Sequence, residues 1–396
     1  MEITVRHHDT FSYYSQLFDL PLPLIAASNP TLSDDSLATG QVLHIPGYTT
    51  VPYTIQAGDT CWTLSQQRQL PLDQILLLNQ TTISQPLQQG ELILLPVRVR
   101  HMLITDTDQY SFVKFRRDID RLLTVYPFLQ KKIIGHSVLD KEMIELQIGW
   151  GSQKKHINGS FHANEWITTS IIMQFINQYL LALTNRLPLK GLDLLPYFVQ
   201  NTLSLVPMVN PDGVDLVLFG AQAAEDKQND VLSINQGNHD FTNWKANIHG
   251  VDLNNQFAAL WEVDASRKPT APSFRDFPGY QPLTEPEAIA MSALAQHHSF
   301  DIMNALHTQG QEFYWGYQGL EPAAAHRIAS EYQRVSGYKS VQYVDSFAGY
   351  KDWFIQEFQK PGFTIELGLG MNPLPIRQSE QIYQDMLGIF LATLYL

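Results

Sequence analysis

Ser160-Phe161-His162-Ala163-Asn164-Glu165-Trp166-Ile167 ends a short strand-like stretch and opens an apolar-periodic segment that runs to about Leu183. A strand turning directly into a long apolar helix is the building unit of an α/β fold. The same alternation continues on both sides. Lys132 to Gly135, Met143 to Ile148 and Leu203 to Val209 read as strands. Tyr110 to Val125, Glu285 to His297, Glu321 to Val335 and Ser379 to Tyr395 read as amphipathic helices. The expected fold class is therefore α/β, a mixed and mostly parallel sheet covered by helices on both faces.

His162 and Glu165 are spaced to present two metal ligands at that strand-to-helix corner. A catalytic zinc ion takes three nitrogen or oxygen ligands and keeps one position open. The third ligand is expected from His307, at the end of the apolar run Ile302-Met303-Asn304-Ala305-Leu306, just before the polar turn Thr308-Gln309-Gly310. Strand ends are where open α/β sheets keep their chemistry. Phe363-Thr364-Ile365-Glu366-Leu367-Gly368 adds a β-branched, aromatic strand with one carboxylate in its middle. An unpaired Glu there is costly to bury without a partner, and its raised basicity suits a general base acting on a zinc-bound water.

With these residues in place, the chain from about Met102 to its C-terminus resembles the zinc metallocarboxypeptidases of the carboxypeptidase A type. The matching motifs run in the family's order: His162-x-x-Glu165, Val209-Asn210-Pro211-Asp212-Gly213, Gly250-Val251-Asp252-Leu253-Asn254, Leu306-His307-Thr308-Gln309-Gly310 and Thr364-Ile365-Glu366-Leu367. The resemblance implies that His162, Glu165 and His307 bind one Zn2+. It also implies Glu366 as base and proton shuttle in the attack of water on an amide.

Several positions depart from that family's pattern. Its relatives carry an Asn-Arg pair whose Arg holds a substrate carboxylate; here the pair is Asn254-Asn255, and an amide cannot supply the charge. In the stretch Trp244-Lys245-Ala246-Asn247-Ile248-His249, His249 is taken as the match for the residue that polarises the scissile carbonyl. The floor of the specificity pocket falls on Lys351, which would select a carboxylate on the substrate side chain. Tyr343 lies where the family places a mobile phenol.

The N-terminus repeats when slid by fifty positions: His8-Asp9-Thr10 falls on Gly58-Asp59-Thr60, Asn29 on Asn79, Gly40 on Gly90, and Ile45-Pro46 on Leu95-Pro96. Each copy reads as a small βααβ module. Tyr53-Thr54-Ile55-Gln56-Ala57-Gly58-Asp59-Thr60-Cys61-Trp62 resembles a lysin motif, a module that binds glycans containing N-acetylglucosamine. The first copy diverges in having His8 where Gly is usual. The resemblance implies glycan contacts just after Gly58, Asp59 and Thr60 and near Asn79. The expected organisation is repeat 1 over 1–48, repeat 2 over 49–98 and a catalytic domain over 99–396, with a short apolar junction at Pro96 to His101 that docks the second repeat.

Two glycan modules on a metallopeptidase point to bacterial cell wall, whose stem peptides carry meso-diaminopimelate. Lys351 would pair with its distal carboxylate. The arrangement resembles the γ-D-glutamyl-diaminopimelate peptidases of Bacillus-type spores, so the expected partners are a peptidoglycan stem peptide and an N-acetylglucosamine-containing glycan. Two other readings are a metallocarboxypeptidase releasing acidic C-terminal residues from ordinary peptides, and a non-catalytic wall or spore binding protein. The latter conflicts with the intact set His162, Glu165, His307 and Glu366.

With 26 basic and 39 acidic side chains the net charge is -13, which argues against nucleic acid and anionic membrane surfaces as partners. The single cysteine, Cys61, excludes an internal disulfide and reads as a buried helix residue. There is no secretory signal pattern and no long apolar run, so the expected location is cytoplasmic or spore-associated, with nonclassical release as a further route.

Overall fold

The computed structural model describes residues 1–33 and 37–396. The two repeats fold as the βααβ pattern predicts. Repeat 1 consists of β1 (Glu2–Thr4), α1 (Phe11–Leu17), α2 (Leu22–Ser28) and β2 (Val42–His44). Repeat 2 consists of β3 (Tyr48–Thr54), α3 (Cys61–Arg68), α4 (Leu72–Leu78) and β4 (Leu92–Arg98). In both, the paired strands are antiparallel. The Thr10 and Thr60 hydroxyls cap α1 and α3 by accepting the amides of Tyr13 and Thr63, each at 3.0 Å. His8 adopts a φ of 69° at the turn where Gly58 has 87°. The first repeat therefore keeps the left-handed turn with a residue that enters it less readily than glycine.

The chain divides into two compact units: the first comprises 1–103, 118–130 and 177–199, the second 104–117, 131–176 and 200–396. Within the first unit the repeats are joined to each other by Arg6, whose guanidinium donates to Asp73 at 2.6 and 2.8 Å. The junction after repeat 2 is pinned as well. Arg98 Nη2 donates to the Thr184 carbonyl at 2.6 Å, Asn185 Nδ2 to Val99 O at 3.0 Å, and Gly47 N to Val125 O at 2.8 Å. Segments 118–130 and 177–199 thus belong with the repeats, although the sequence pattern assigns them to the catalytic part.

The remaining strands are β5 (Gln130–His136), β6 (Glu142–Ile148), β7 (Gln153–Asn158), β8 (Asn201–Val206), β9 (Ile302–Thr308), β10 (Glu312–Tyr314), β11 (Lys339–Val341) and β12 (Gly362–Leu367). Among the described residues they form an eight-stranded sheet in the order β11-β10-β12-β9-β7-β8-β6-β5. The central four, β12, β9, β7 and β8, are mutually parallel, and the flanking pairs β10–β12 and β6–β8 are antiparallel. This is the mixed, mostly parallel sheet the alternation predicts. Every residue of β9 is buried, as expected of a central strand covered on both faces.

The helices that follow the repeats are α5 (Phe112–Val125), α6 (Ile167–Asn185), α7 (Leu195–Gln200), α8 (Pro211–Phe219), α9 (Gln228–Ile234), α10 (Trp261–Ala265), α11 (Pro286–His298), α12 (Ala323–Ser336), α13 (Tyr350–Phe358) and α14 (Ser379–Tyr395). One core packs Met291 and Leu294 of α11 and Trp353 and Phe354 of α13 against Met303 and Ala305 of β9. Elsewhere Tyr332 of α12 and Thr393 of α14 share a buried hydrogen bond of 2.8 Å and both reach Asn304 of β9, at 3.2 and 3.1 Å. Asn304 therefore lies toward α12 and α14, while its neighbours Met303 and Ala305 pack with α11 and α13. In sequence, β7 is followed by β8 on one side of it and β9 on the other. That reversal is where open α/β sheets leave a crevice at their carboxyl ends. No helix of the described residues is long and apolar enough to cross a membrane.

Candidate metal centre

His162 stands four residues beyond β7, at the mouth of that crevice, and Glu165 closes the single 3-10 turn Ala163–Glu165 that leads into α6. His307 is the penultimate residue of β9. Three strand and helix ends therefore converge. His162 Nδ1 lies 2.9 Å from Glu165 Oε1 and 3.2 Å from His307 Nδ1, and His307 Nδ1 lies 3.1 Å from Glu165 Oε2. All three side chains are buried, and this is the one such metal-type cluster among the described residues. Ligands held tetrahedrally at zinc distances of about 2.0–2.1 Å lie roughly 3.3 Å apart. The observed edges match that figure closely, and two imidazole nitrogens facing one another across 3.2 Å are well explained by a shared cation.

A surrounding layer holds these ligands in place. Asp252 Oδ1 lies 3.2 Å from His162 Nε2, so the ring presents Nδ1 to its co-ligands. Asp252 is itself positioned by the left-handed Gly250 turn, φ 72°. The Thr308 amide and Asn372 Nδ2 donate to the two Glu165 oxygens at 3.2 and 3.1 Å. Gly213 is required where it stands: a Cβ there would meet Ala246 O at 2.7 Å and the Asn210 side chain at 2.6 Å, and Asn210 caps α8.

Electrostatics follow from burial and these contacts. Burial opposes the charged form of His162, but the Glu165 and Asp252 carboxylates outweigh it and lift the ring to about 9. Burial also disfavours the Glu165 carboxylate, yet its two histidine neighbours hold it down to about 2. Glu366 lies on β12 directly across from His307 on β9. Burial, reinforced by the Glu165 charge, pushes its carboxyl up to about 8. A nearby dication would draw it back down.

The other expected site residues divide. His249 is half-exposed and paired with Glu285 at 2.8 Å. Lys245 instead exerts its charge on His162, Glu165, His307 and Glu366, and its Nζ lies 3.7 Å from Asp252 Oδ2. The structure thus brings Lys245, not His249, to the metal cluster. Lys245 directly follows Trp244 within the very stretch singled out in the sequence; charge type was the available signal. Asn254 Oδ1 accepts the Tyr350 amide at 3.2 Å, and Asn255 Oδ1 accepts from Lys268 Nζ. Lys268, which the motif comparison passes over, therefore places a cation on the amide that stands where the arginine clamp was expected.

Tyr343 is exposed, and its hydroxyl donates to Glu321 at 2.6 Å. Lys351 is buried with its Nζ 2.5 Å from Asp352 Oδ1 and 3.0 Å from Gly316 O. In repeat 2, Asp59 accepts the Gln56 amide and the Tyr53 hydroxyl, and the Asn79 amide bridges Ile75 and Leu94. Asp59, Thr60 and Asn79 are thus engaged in building the module's own turns, while Trp62, just past the Thr60 cap, is 55% exposed. Gly58 supplies the turn conformation with open space around it.

The profile of the zinc carboxypeptidase family matches residues 116–387, and that of the LysM domain matches residues 3–46 and 53–96. The chain is 49% identical over 396 residues, all of both chains, to the gamma-D-glutamyl-L-diamino acid endopeptidase 1 of Lysinibacillus sphaericus. It is 47% identical over 290 residues, 72% of this chain and 77% of the other, to the uncharacterized protein YqgT of Bacillus subtilis (strain 168). Among solved structures, bovine thrombin-activatable fibrinolysis inhibitor in complex with tick carboxypeptidase inhibitor superposes with a TM-score of 0.57 at 18% identity, covering 73% of this chain and 96% of that one. Carboxypeptidase A from Helicoverpa armigera gives 0.51 at 18%, covering 72% and 73%. These two likenesses establish the fold.

Proposed function

The chain belongs to the zinc carboxypeptidase family, and from that membership we propose that it hydrolyses the γ-D-glutamyl-meso-diaminopimelate bond of cell-wall stem peptides. It is a zinc metallopeptidase carrying two LysM repeats. The observation that carries the substrate is the match over the full length of both chains, repeats included, to a relative whose name specifies a γ-D-glutamyl-L-diamino acid bond. The repeats, over 1–48 and 49–98, hold the enzyme on N-acetylglucosamine-containing glycan, through backbone groups of their turns and the exposed Trp62.

His162, Glu165 and His307 hold the zinc ion, and Asp252 keeps His162 in the ligating orientation. Bound zinc lowers the pKa of a coordinated water and polarises the scissile carbonyl. Glu366 takes the proton of the attacking water as the new C–O bond forms, and delivers it to the amine as the C–N bond breaks. Its carboxylate carries no hydrogen bond among the described residues, so it is free for both transfers. Lys245 balances the negative charge that develops on the carbonyl oxygen. Lys268, held by Asn255, supplies the cation for the α-carboxylate of the released residue.

Zinc-loaded enzyme incubated with L-Ala-γ-D-Glu-meso-diaminopimelate should release diaminopimelate, followed by mass spectrometry. A peptide that stays intact while an ordinary peptide with an acidic C-terminus is trimmed would replace this reading with that of an ordinary carboxypeptidase.

A further inference from the structure

Lys351 and Asp352 open α13, and both are buried, at 3% and 5% exposure. A lone buried lysine would act as a carboxylate reader. Here the ammonium already has a carboxylate 2.5 Å away, with the Gly316 carbonyl as a second acceptor at 3.0 Å. The pair is neutral overall and presents both signs.

Asp352 also lines a cavity of about 460 Å³ whose walls include Gly316, Tyr317, Tyr343 and Phe347. Its second oxygen packs over Gly349, where a Cβ would lie 3.0 Å from Asp352 Oδ2 and 3.6 Å from the Asn254 amide. A line of charges ties this corner to the metal centre. Asp264 acts on Asp352 and lies 2.5 Å from Lys268 Nζ, and Lys268 acts on Asp252, the partner of His162.

A buried neutral pair constrains what can be brought against it. A side chain ending in one charge leaves a net charge in a desolvated pocket, whichever sign it carries. A side chain ending in both an ammonium and a carboxylate forms two new opposite-sign contacts and leaves the pocket neutral.

Resting on the reading of the preceding subsection, we propose that Lys351 and Asp352 together form a two-sign reader for a zwitterionic side-chain end. Asp352 takes the distal ammonium of a diaminopimelate-type residue, and Lys351 takes its distal carboxylate. Lys351 alone does not set specificity.

Four peptides L-Ala-γ-D-Glu-X test this with the intact zinc enzyme, where X is meso-diaminopimelate, L-lysine, L-2-aminopimelate or L-norleucine. The expected kcat/KM for diaminopimelate exceeds each of the others by about tenfold or more. Aminopimelate equal to diaminopimelate would leave Lys351 as the sole reader, lysine equal to it would leave Asp352, and norleucine equal to it would mean that the pocket reads no charge. Each of these overturns the proposal, whereas turnover of none of the four removes the γ-glutamyl reading itself. Because losing one partner strands a buried charge, the variant is the double replacement Lys351→Met with Asp352→Leu. Within one preparation of it, the diaminopimelate-to-norleucine ratio should collapse to about one; a retained ratio overturns the assignment.

Discussion

Glu366 of β12 and His307 of β9 are register partners in a parallel strand pair, so the proposed base and a metal ligand are set side by side by the sheet itself. The relationship is rigid because both strands are central and flanked on both edges. It makes the proton acceptor and the metal cluster one unit of the scaffold and gives the first prediction. Glu366→Gln should lower kcat by about 10²–10⁴-fold while zinc content, measured by elemental analysis, stays at one per chain. Residual activity above a few per cent would assign the proton transfer elsewhere.

Metal affinity should climb with pH. His162 in the metal-free protein holds its proton up to about 9 and must lose it to ligate. Below that value one proton leaves per ion bound, so the association constant should rise about tenfold per pH unit between 6 and 8. Chelator competition reads this directly, and a flat profile contradicts it. Asp252→Asn should weaken binding by about 10–100-fold across the range, because the ring loses its orienting carboxylate.

Lys268→Met should raise KM about tenfold for a stem peptide ending in a free α-carboxylate, and much less for the same peptide amidated at that position. Comparing both peptides in one preparation separates this from any loss of folded protein, since Asp264 is left without its cation. Equal effects on the two would remove Lys268 from carboxylate binding.

Glu287 is fully buried, and desolvation, aided by the Asp212 charge, pushes its carboxyl up to about 7 from an ordinary value near 4.5. Between those values the folded chain binds the proton more tightly than the unfolded chain, so this group's contribution falls as pH rises through that window. The groups around it are Asp212, Glu285, His249, the Asn247 amide and the Val138 N–H. Glu287→Gln should flatten that slope and stabilise the protein above pH 7, by up to about 3 kcal/mol. Urea midpoints at pH 5 and pH 8 test it; a gain confined to pH 5 would refute the sign.

The sequence by itself determined the α/β alternation, the two βααβ repeats and the four residues of the metal centre. Those signals are local: a strand end, an apolar period, a cap residue, or a carboxylate stranded in an apolar strand. Only the tertiary structure decided which charges face which. Lys245 rather than His249 acts on the cluster because the turn after Trp244 carries it there, while His249 is drawn to Glu285. Lys268 meets Asn255 across a turn that no motif spacing encodes. Lys351 has the predicted sign, but its adjacent Asp352 neutralises it at 2.5 Å, which the helix geometry and burial settle and the one-dimensional pattern does not. Charge is legible in sequence, whereas the partner that sets its effect is a property of the folded chain, where distance and burial fix the strength of every pair.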